Sequence, residues 1–60
     1  MNTREKIMEF WLNIEAGTEI SISEIAKSVN EFELDIRTIM KELHEEFYVF
    51  YDESKDIVRF

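Results

Sequence analysis

Thr18-Glu19-Ile20-Ser21-Ile22-Ser23-Glu24-Ile25-Ala26-Lys27-Ser28-Val29-Asn30 is the stretch that decides the fold, because it joins a strand signal directly to a helix signal. Its first four residues are short and β-prone. Ser21 then stands three residues before Glu24, the spacing of a capping box, in which a serine and a glutamate satisfy free N–H groups at a helix start. A short helix follows with Ile22, Ile25, Ala26 and Val29 on its apolar side, and Asn30 suits the turn that ends it.

Towards the N-terminus, Thr3 is expected to cap a helix running to about Glu15, with Ile7, Phe10, Trp11 and Ile14 along one stripe and Gly17 placed to end it. On the other side, a third helix is expected from about Glu33 to Glu46, with Ile36, Ile39, Met40, Leu43 and then Phe47 on one face. The character then changes to Phe47-Tyr48-Val49-Phe50-Tyr51, a polar Asp52-Glu53-Ser54-Lys55-Asp56, and Ile57-Val58-Arg59-Phe60, which reads as a β-hairpin.

Three helices, a short strand before the second and a closing hairpin resemble the winged-helix branch of the helix-turn-helix class over nearly the whole chain. Ile25-Ala26-Lys27-Ser28-Val29-Asn30 is the most specific part, similar to the second helix and turn of that motif. Two departures stand out: Asn30 occupies the place usually taken by glycine, and the Phe32 to Ile36 spacing is shorter than the common pattern. The resemblance implies an α+β fold over residues 1–60 in which Glu19 to Ser21 pairs with the last strand in a three-stranded sheet.

Sixty residues with no cysteine must be held by packing around one modest core. At 45% hydrophobic the chain is too apolar for the disordered class despite a net charge of -7. No signal-peptide pattern and no run approaching the ~20 apolar residues of a membrane span is present, so a cytoplasmic location without membrane contact is expected. Fourteen acidic against seven basic side chains repel phosphate backbones on average, which points to a protein partner before DNA.

Catalytic equipment is hard to find. His44 is the only histidine, no Gly-rich run could cradle a phosphate, and Glu45-Glu46 and Asp52-Glu53 are sequence neighbours whose side chains diverge. Asp52 to Asp56 lacks the glycine and the terminal Glu spacing of a calcium loop. The expectation is a non-enzyme with no cofactor and no metal.

Placing third-helix residues about 100 degrees apart from Ile36 gathers Arg37, Lys41 and His44 on one flank and Asp35, Glu42 and Glu46 on the other. In a DNA-binding reading, Arg37, Thr38, Lys41 and His44 meet the duplex, with Lys27 and Arg59 adding support. In the competing reading, Glu33 neutralises Arg37 and Glu45 neutralises Lys41 at i, i+4 spacing, while Glu31, Glu33 and Asp35 crowd the helix start. Leu34 points away from the stripe and either packs under the preceding turn or stands where a partner-reading residue would.

Alternation along the wing sends Phe47, Val49 and Tyr51 to one side and Tyr48 and Phe50 to the other, so a hairpin covered on one face exposes rings. Val58 and Phe60 repeat the pattern on the second strand. Tyr48, Phe50 and Tyr51, with Leu34, are therefore candidate protein-binding residues, local cross-strand packing being the alternative. Met8 and Leu12 widen the apolar face of the first helix, which suits a helix flanked by several elements, or else a groove for a partner or second copy.

Three functions follow. The first is a regulatory or assembly module that binds another protein through its acidic surface and aromatic wing, including a nucleic-acid-binding protein inhibited by charge mimicry. The second is a sequence-specific DNA-binding transcription regulator that reads through the third helix. The third is a homodimerisation unit built on Met8, Leu12 or the wing edge.

Overall fold

The computed structural model describes residues 1–60. Helix α1 spans Thr3–Leu12, strand β1 Glu19–Ser21, helix α2 Ile22–Val29, helix α3 Glu33–Glu45, strand β2 Phe50–Asp52 and strand β3 Ile57–Arg59. The sheet is antiparallel in the order β1-β3-β2. Three helices, a strand before the second and a C-terminal hairpin thus make the expected α+β fold. Glu19, Ile20 and Ser21 pair with Arg59, Val58 and Ile57, as the winged-helix resemblance implies.

Ser21 has two duties. It is the last residue of β1 and the N-cap of α2, its Oγ accepting the Glu24 N–H at 3.2 Å, so strand passes into helix with no intervening loop. Asn30 closes α2 in the left-handed region at φ 57, and the Glu31 N–H reaches back to the Ala26 carbonyl at 3.0 Å.

The ends of α1 differ from expectation. Asn2, not Thr3, is the N-cap, its side chain accepting the Glu5 N–H at 2.8 Å. The Thr3 hydroxyl is drawn instead into a tertiary contact, donating to Glu31 at 2.6 Å. At the other end α1 stops at Leu12, short of Glu15, where the Asn13 and Ile14 N–H groups tighten onto Phe10 and Trp11 carbonyls and the Asn13 amide bonds back to the Glu9 carbonyl. Gly17, at φ 88, does not end the helix. It turns the chain into the sheet, where its N–H donates to the Phe60 carbonyl at 3.2 Å and the Phe60 N–H returns to Thr18 at 3.0 Å.

All the expected apolar stripes converge on one core of Ile7, Ile22, Ile25, Ala26, Val29, Ile36, Met40, Leu43, Val49, Tyr51 and Val58. Phe60 wedges between Phe10 and Trp11, its ring centroid 6.1 and 5.6 Å from theirs, so Val58 and Phe60 are both covered and leave no exposed apolar problem on β3.

Phe47 departs most from its stripe. Helix α3 ends at Glu45, two residues before it, and Phe47 lies 94% exposed at φ 66. Its N–H donates to His44 at 3.1 Å and the Tyr48 N–H to Leu43 at 3.0 Å, the paired bonds of a Schellman cap whose left-handed position normally holds glycine. At the other end Phe32 is the N-cap without any side-chain cap bond, and it too is exposed. Both ends of α3 therefore carry a solvent-facing phenylalanine where capping chemistry prefers Ser or Asp first and Gly last. Left-handed backbone costs a Cβ-bearing residue roughly 1–2 kcal/mol, offset in part by the larger unfolded-state entropy of glycine. Phe47→Gly is therefore expected to stabilise the domain by about 1 kcal/mol and raise Tm by roughly 4–8 °C in thermal melts followed by circular dichroism. A lower Tm would show that the ring has a packing role.

Candidate interaction surfaces

The hairpin tip is built to place carboxylates against α3. Asp52 Oδ1 accepts the Ser54 and Lys55 N–H groups at 3.0 and 3.3 Å and the Ser54 hydroxyl at 2.6 Å, forming a tight Asx-type turn whose hydrogen bonds, the Ser54 hydroxyl first, hold the Asp52 carboxyl below its usual range. The chain leaves that turn through Asp56 at φ 56, another left-handed position. Asp56 then meets Arg37 in a two-pronged pair: Nε donates to Oδ1 at 3.1 Å and Nη2 to Oδ2 at 2.7 Å. Glu33 accepts from the same Nη2 at 2.9 Å.

The buried Tyr51 hydroxyl completes the group, donating to Asp56 Oδ1 at 2.7 Å. The Arg37 hydrogen bonds, then that of Tyr51, hold the Asp56 carboxyl below its ordinary value. Burial, then the hydrogen bond to Asp56, pushes the Tyr51 phenol up to about 12. Asp56 likewise raises the already high value of the Arg37 guanidinium.

These bonds decide the fate of the residues proposed for DNA contact. Arg37 is engaged by Asp56 and Glu33, and Lys41 pairs with Glu53 of the hairpin tip at 3.3 Å, not with Glu45 as the helical spacing suggests. Thr38 donates its hydroxyl to its own backbone at Leu34, 3.0 Å away. His44 accepts the Tyr51 N–H on Nδ1 at 3.2 Å, so the proton of the neutral ring lies on Nε2 and the imidazole serves strand β2. Lys27 on α2 and Arg59 on β3 have no ion pair, and Arg59 lies over the Phe50 ring, 5.8 Å from its centroid.

The acids are distributed otherwise than their spacing implies. Glu31 turns from the α3 start towards α1, where Lys6 donates to it at 2.9 Å, and the hydrogen bonds of Thr3 and then Lys6 lower its carboxyl pKa. Arg4 is shared by Glu42 at 3.3 Å and Glu46 at 3.4 Å. Glu5, Glu9, Asp35 and Glu45 have no cation, and the free surface is acidic.

Of the candidate protein-binding residues, Leu34 is 71% exposed beside Phe32, so it does not pack under the turn. Tyr48 and Phe50 are exposed as the alternation requires. Tyr51 is not: at 7% exposure it belongs to the core and reaches out only through its hydroxyl. Tyr48 meets the edge of Trp11 at 6.5 Å, and Phe50 the edge of His44 at 5.4 Å.

Of the two readings of the wide α1 face, full coverage by neighbouring elements does not hold, since Met8 is 44% and Leu12 86% exposed. Phe32 and Phe47 were missed as surface residues because helical periodicity carries no information about cap positions. Between α1 and the end of α3 lies an open groove of about 270 Å³ lined by Arg4, Met8, Trp11, Leu43, Glu46 and Tyr48. A second open hollow of about 300 Å³, between α1 and α2, is mostly polar and bounded by Lys6, Glu9 and Asn13. No three His, Asp or Glu side chains are grouped to hold a metal, and no helix is long and apolar enough to cross a membrane. No protein-family model, curated protein or solved structure matches this chain, so its likeness to winged-helix domains rests on the order and pairing of its elements.

Proposed function

We propose that this domain is a non-enzymatic regulatory or assembly module of winged-helix type that binds another protein through its acidic surface and the exposed aromatic residues at the base of its wing. One observation carries the reading: the two cations of α3, Arg37 and Lys41, are clasped by Asp56 and Glu53 of the domain's own hairpin. A duplex-binding helix spends such groups on phosphates and base edges, each phosphate contact contributing to a steep salt dependence. Here that charge is already neutralised, and Lys27, Lys55 and Arg59 are too few to outweigh the unpaired carboxylates.

Exposed Phe32 and Leu34 at the start of α3, and Tyr48 and Phe50 beyond its end, stand on an acidic domain that fits a basic protein face, including the nucleic-acid groove of a partner that the domain would inhibit by occupying it. The exposure of α3 beside a wing supports DNA binding as the second reading.

Fluorescence anisotropy on a mixed-sequence duplex at about 50 mM salt separates the two. The protein-binding reading expects no saturable signal, together with a host protein retained by the wild-type domain and lost when the unpaired surface carboxylates Glu5, Asp35 and Glu45 are together replaced by lysine. Micromolar or tighter duplex binding that weakens steeply with salt would reverse the order.

A further inference from the structure

We infer that the groove between α1 and the α3–β2 junction is the docking site for a basic amphipathic helix of a partner protein. This rests on the protein-binding reading above and names the surface and the chemistry of the partner. Met8, Trp11, Leu43 and Tyr48 supply the apolar lining. Leu12 continues the Met8 side of α1 one turn on, and Phe47 lies in the chain between the lining residues Glu46 and Tyr48. Leu12 and Phe47, the two most exposed apolar side chains of the domain, adjoin these lining residues in the chain. At about 270 Å³ and open to solvent, it falls below the usual ~300–1,000 Å³ of small-molecule sites and suits the anchoring side chains of a macromolecule.

Charge selects the partner. Glu5 stands three residues before Met8 on α1, while Glu42 and Glu46 border the opposite side on α3. The one cation among these three acids, Arg4, is shared by Glu42 and Glu46 and leaves Glu5 unpaired. A second copy of the chain meeting this surface about a twofold axis would set the acids of one groove against those of the other. A basic partner gains from the same field.

Backbone chemistry selects the partner's shape. The backbone of α1 and of the last turn of α3 is bonded within the helices, and the Tyr51 N–H of edge strand β2 is taken by His44 Nδ1, so little strand edge is open to an extended peptide. A helix satisfies its own backbone and needs only side-chain anchors at i, i+3, i+4 and i+7 spacing. Phe47 adds an independent observation. Its ring makes no core contact, yet it occupies a left-handed cap position that glycine fills at lower cost, a strain of the kind found at working surfaces.

The test uses the whole domain and a defined probe: a Trp-free Leu/Lys amphipathic helical peptide of about 18 residues, or roughly five turns. Trp11, the only tryptophan, lines the groove and reports occupancy by its emission. Saturable micromolar binding is expected, with a blue shift of Trp11 and amide shift changes centred on Met8, Leu12, Phe47 and Tyr48. Phe47→Gly and Leu12→Gln should each weaken binding about tenfold or more while the fold is kept. Glu5→Lys should weaken it as well, and a Leu/Glu peptide should not bind.

Unchanged affinity in Phe47→Gly and Leu12→Gln, or shift changes confined to Phe32 and Leu34, would overturn the groove while leaving the protein-binding reading intact. Duplex binding in place of peptide binding would overturn both. Concentration-dependent self-association lost in Leu12→Gln would replace the basic helix with a second copy.

Discussion

Met40→Ala is expected to leave the domain largely unfolded at 37 °C, with the cooperative transition lost from urea or thermal melts. Met40 is fully buried on the inner face of α3, within a core of only eleven side chains. Truncating a buried methionine to alanine removes about 2–5 kcal/mol, the transfer energy of the lost groups plus the cavity left behind. Domains hold roughly 0.05–0.15 kcal/mol per residue in reserve, and a chain of this size, without cysteine, has no disulfide to add to it. One such deletion therefore consumes most of the stability. Met40→Leu, which keeps the volume, should cost less than about 1.5 kcal/mol. A cooperative Met40→Ala transition near the wild-type Tm would mean that neighbouring side chains collapse into the space.

The second large effect centres on Asp56. Asp56→Asn is expected to lower stability by about 1–2 kcal/mol, because the neutral amide loses the charged fork to Arg37 while keeping a backbone that asparagine adopts readily at φ 56. Hydrogen bonds to charged groups contribute more than this when enclosed, but about a third of each side chain is open to water, which screens the pair. Asp56→Ala should lose about a further 1 kcal/mol, since alanine lacks the short polar side chain through which Asp and Asn tolerate left-handed backbone.

The pH dependence separates this pair from a generic packing defect. The Asp56 carboxyl sits below its ordinary 3.8, so its contribution is fully present above that value and disappears as pH falls through the lowered one. Glu31, lowered from 4.5, acts in the same direction. Wild-type stability should therefore fall more steeply than that of Asp56→Asn below about pH 4, with Glu31 leaving a residual slope in the variant. Relief of acidic repulsion is common to both proteins and cancels in the difference. On the alkaline side, Tyr51 rises from 10.0 to about 12, so the benefit of its neutral phenol is complete below pH 10 and lost towards pH 12. Parallel Tm–pH curves for wild type and Asp56→Asn between pH 5 and pH 2 would show that the pair contributes nothing to stability.

The elements themselves were legible in the chain because the signals that mark them are local. Ser21 and Glu24 start a helix by a spacing that needs no partner, Asn30 ends it by its tolerance of left-handed backbone, and the stripe Ile36, Ile39, Met40, Leu43 repeats with the helix. Strand alternation separated Tyr51 from Phe50 for the same reason. The stripe misled only where the helix stopped: extrapolated one position too far, it put Phe47 in the core, whereas the Schellman cap turns the chain and leaves the ring in water.

The surface was another matter, since it depends on which residues distant in sequence come to face one another. Helical spacing correctly assigned Glu33 to Arg37, but nothing local brings Asp56 and Glu53 onto Arg37 and Lys41, or Glu31 onto Lys6 and Thr3. Those pairings exist because the hairpin folds back beside α3 and the α2–α3 turn packs against α1. Nor does the period of α1 reveal that Met8 and Leu12 lack a covering element, because the width of an apolar face says how much can be buried and not what arrives to bury it. The sequence by itself determined a strand running into a capped helix, the three apolar stripes and the acidic excess. Only the tertiary structure decided which charges remain free and which apolar side chains remain uncovered, because both depend on contacts between elements far apart in the chain.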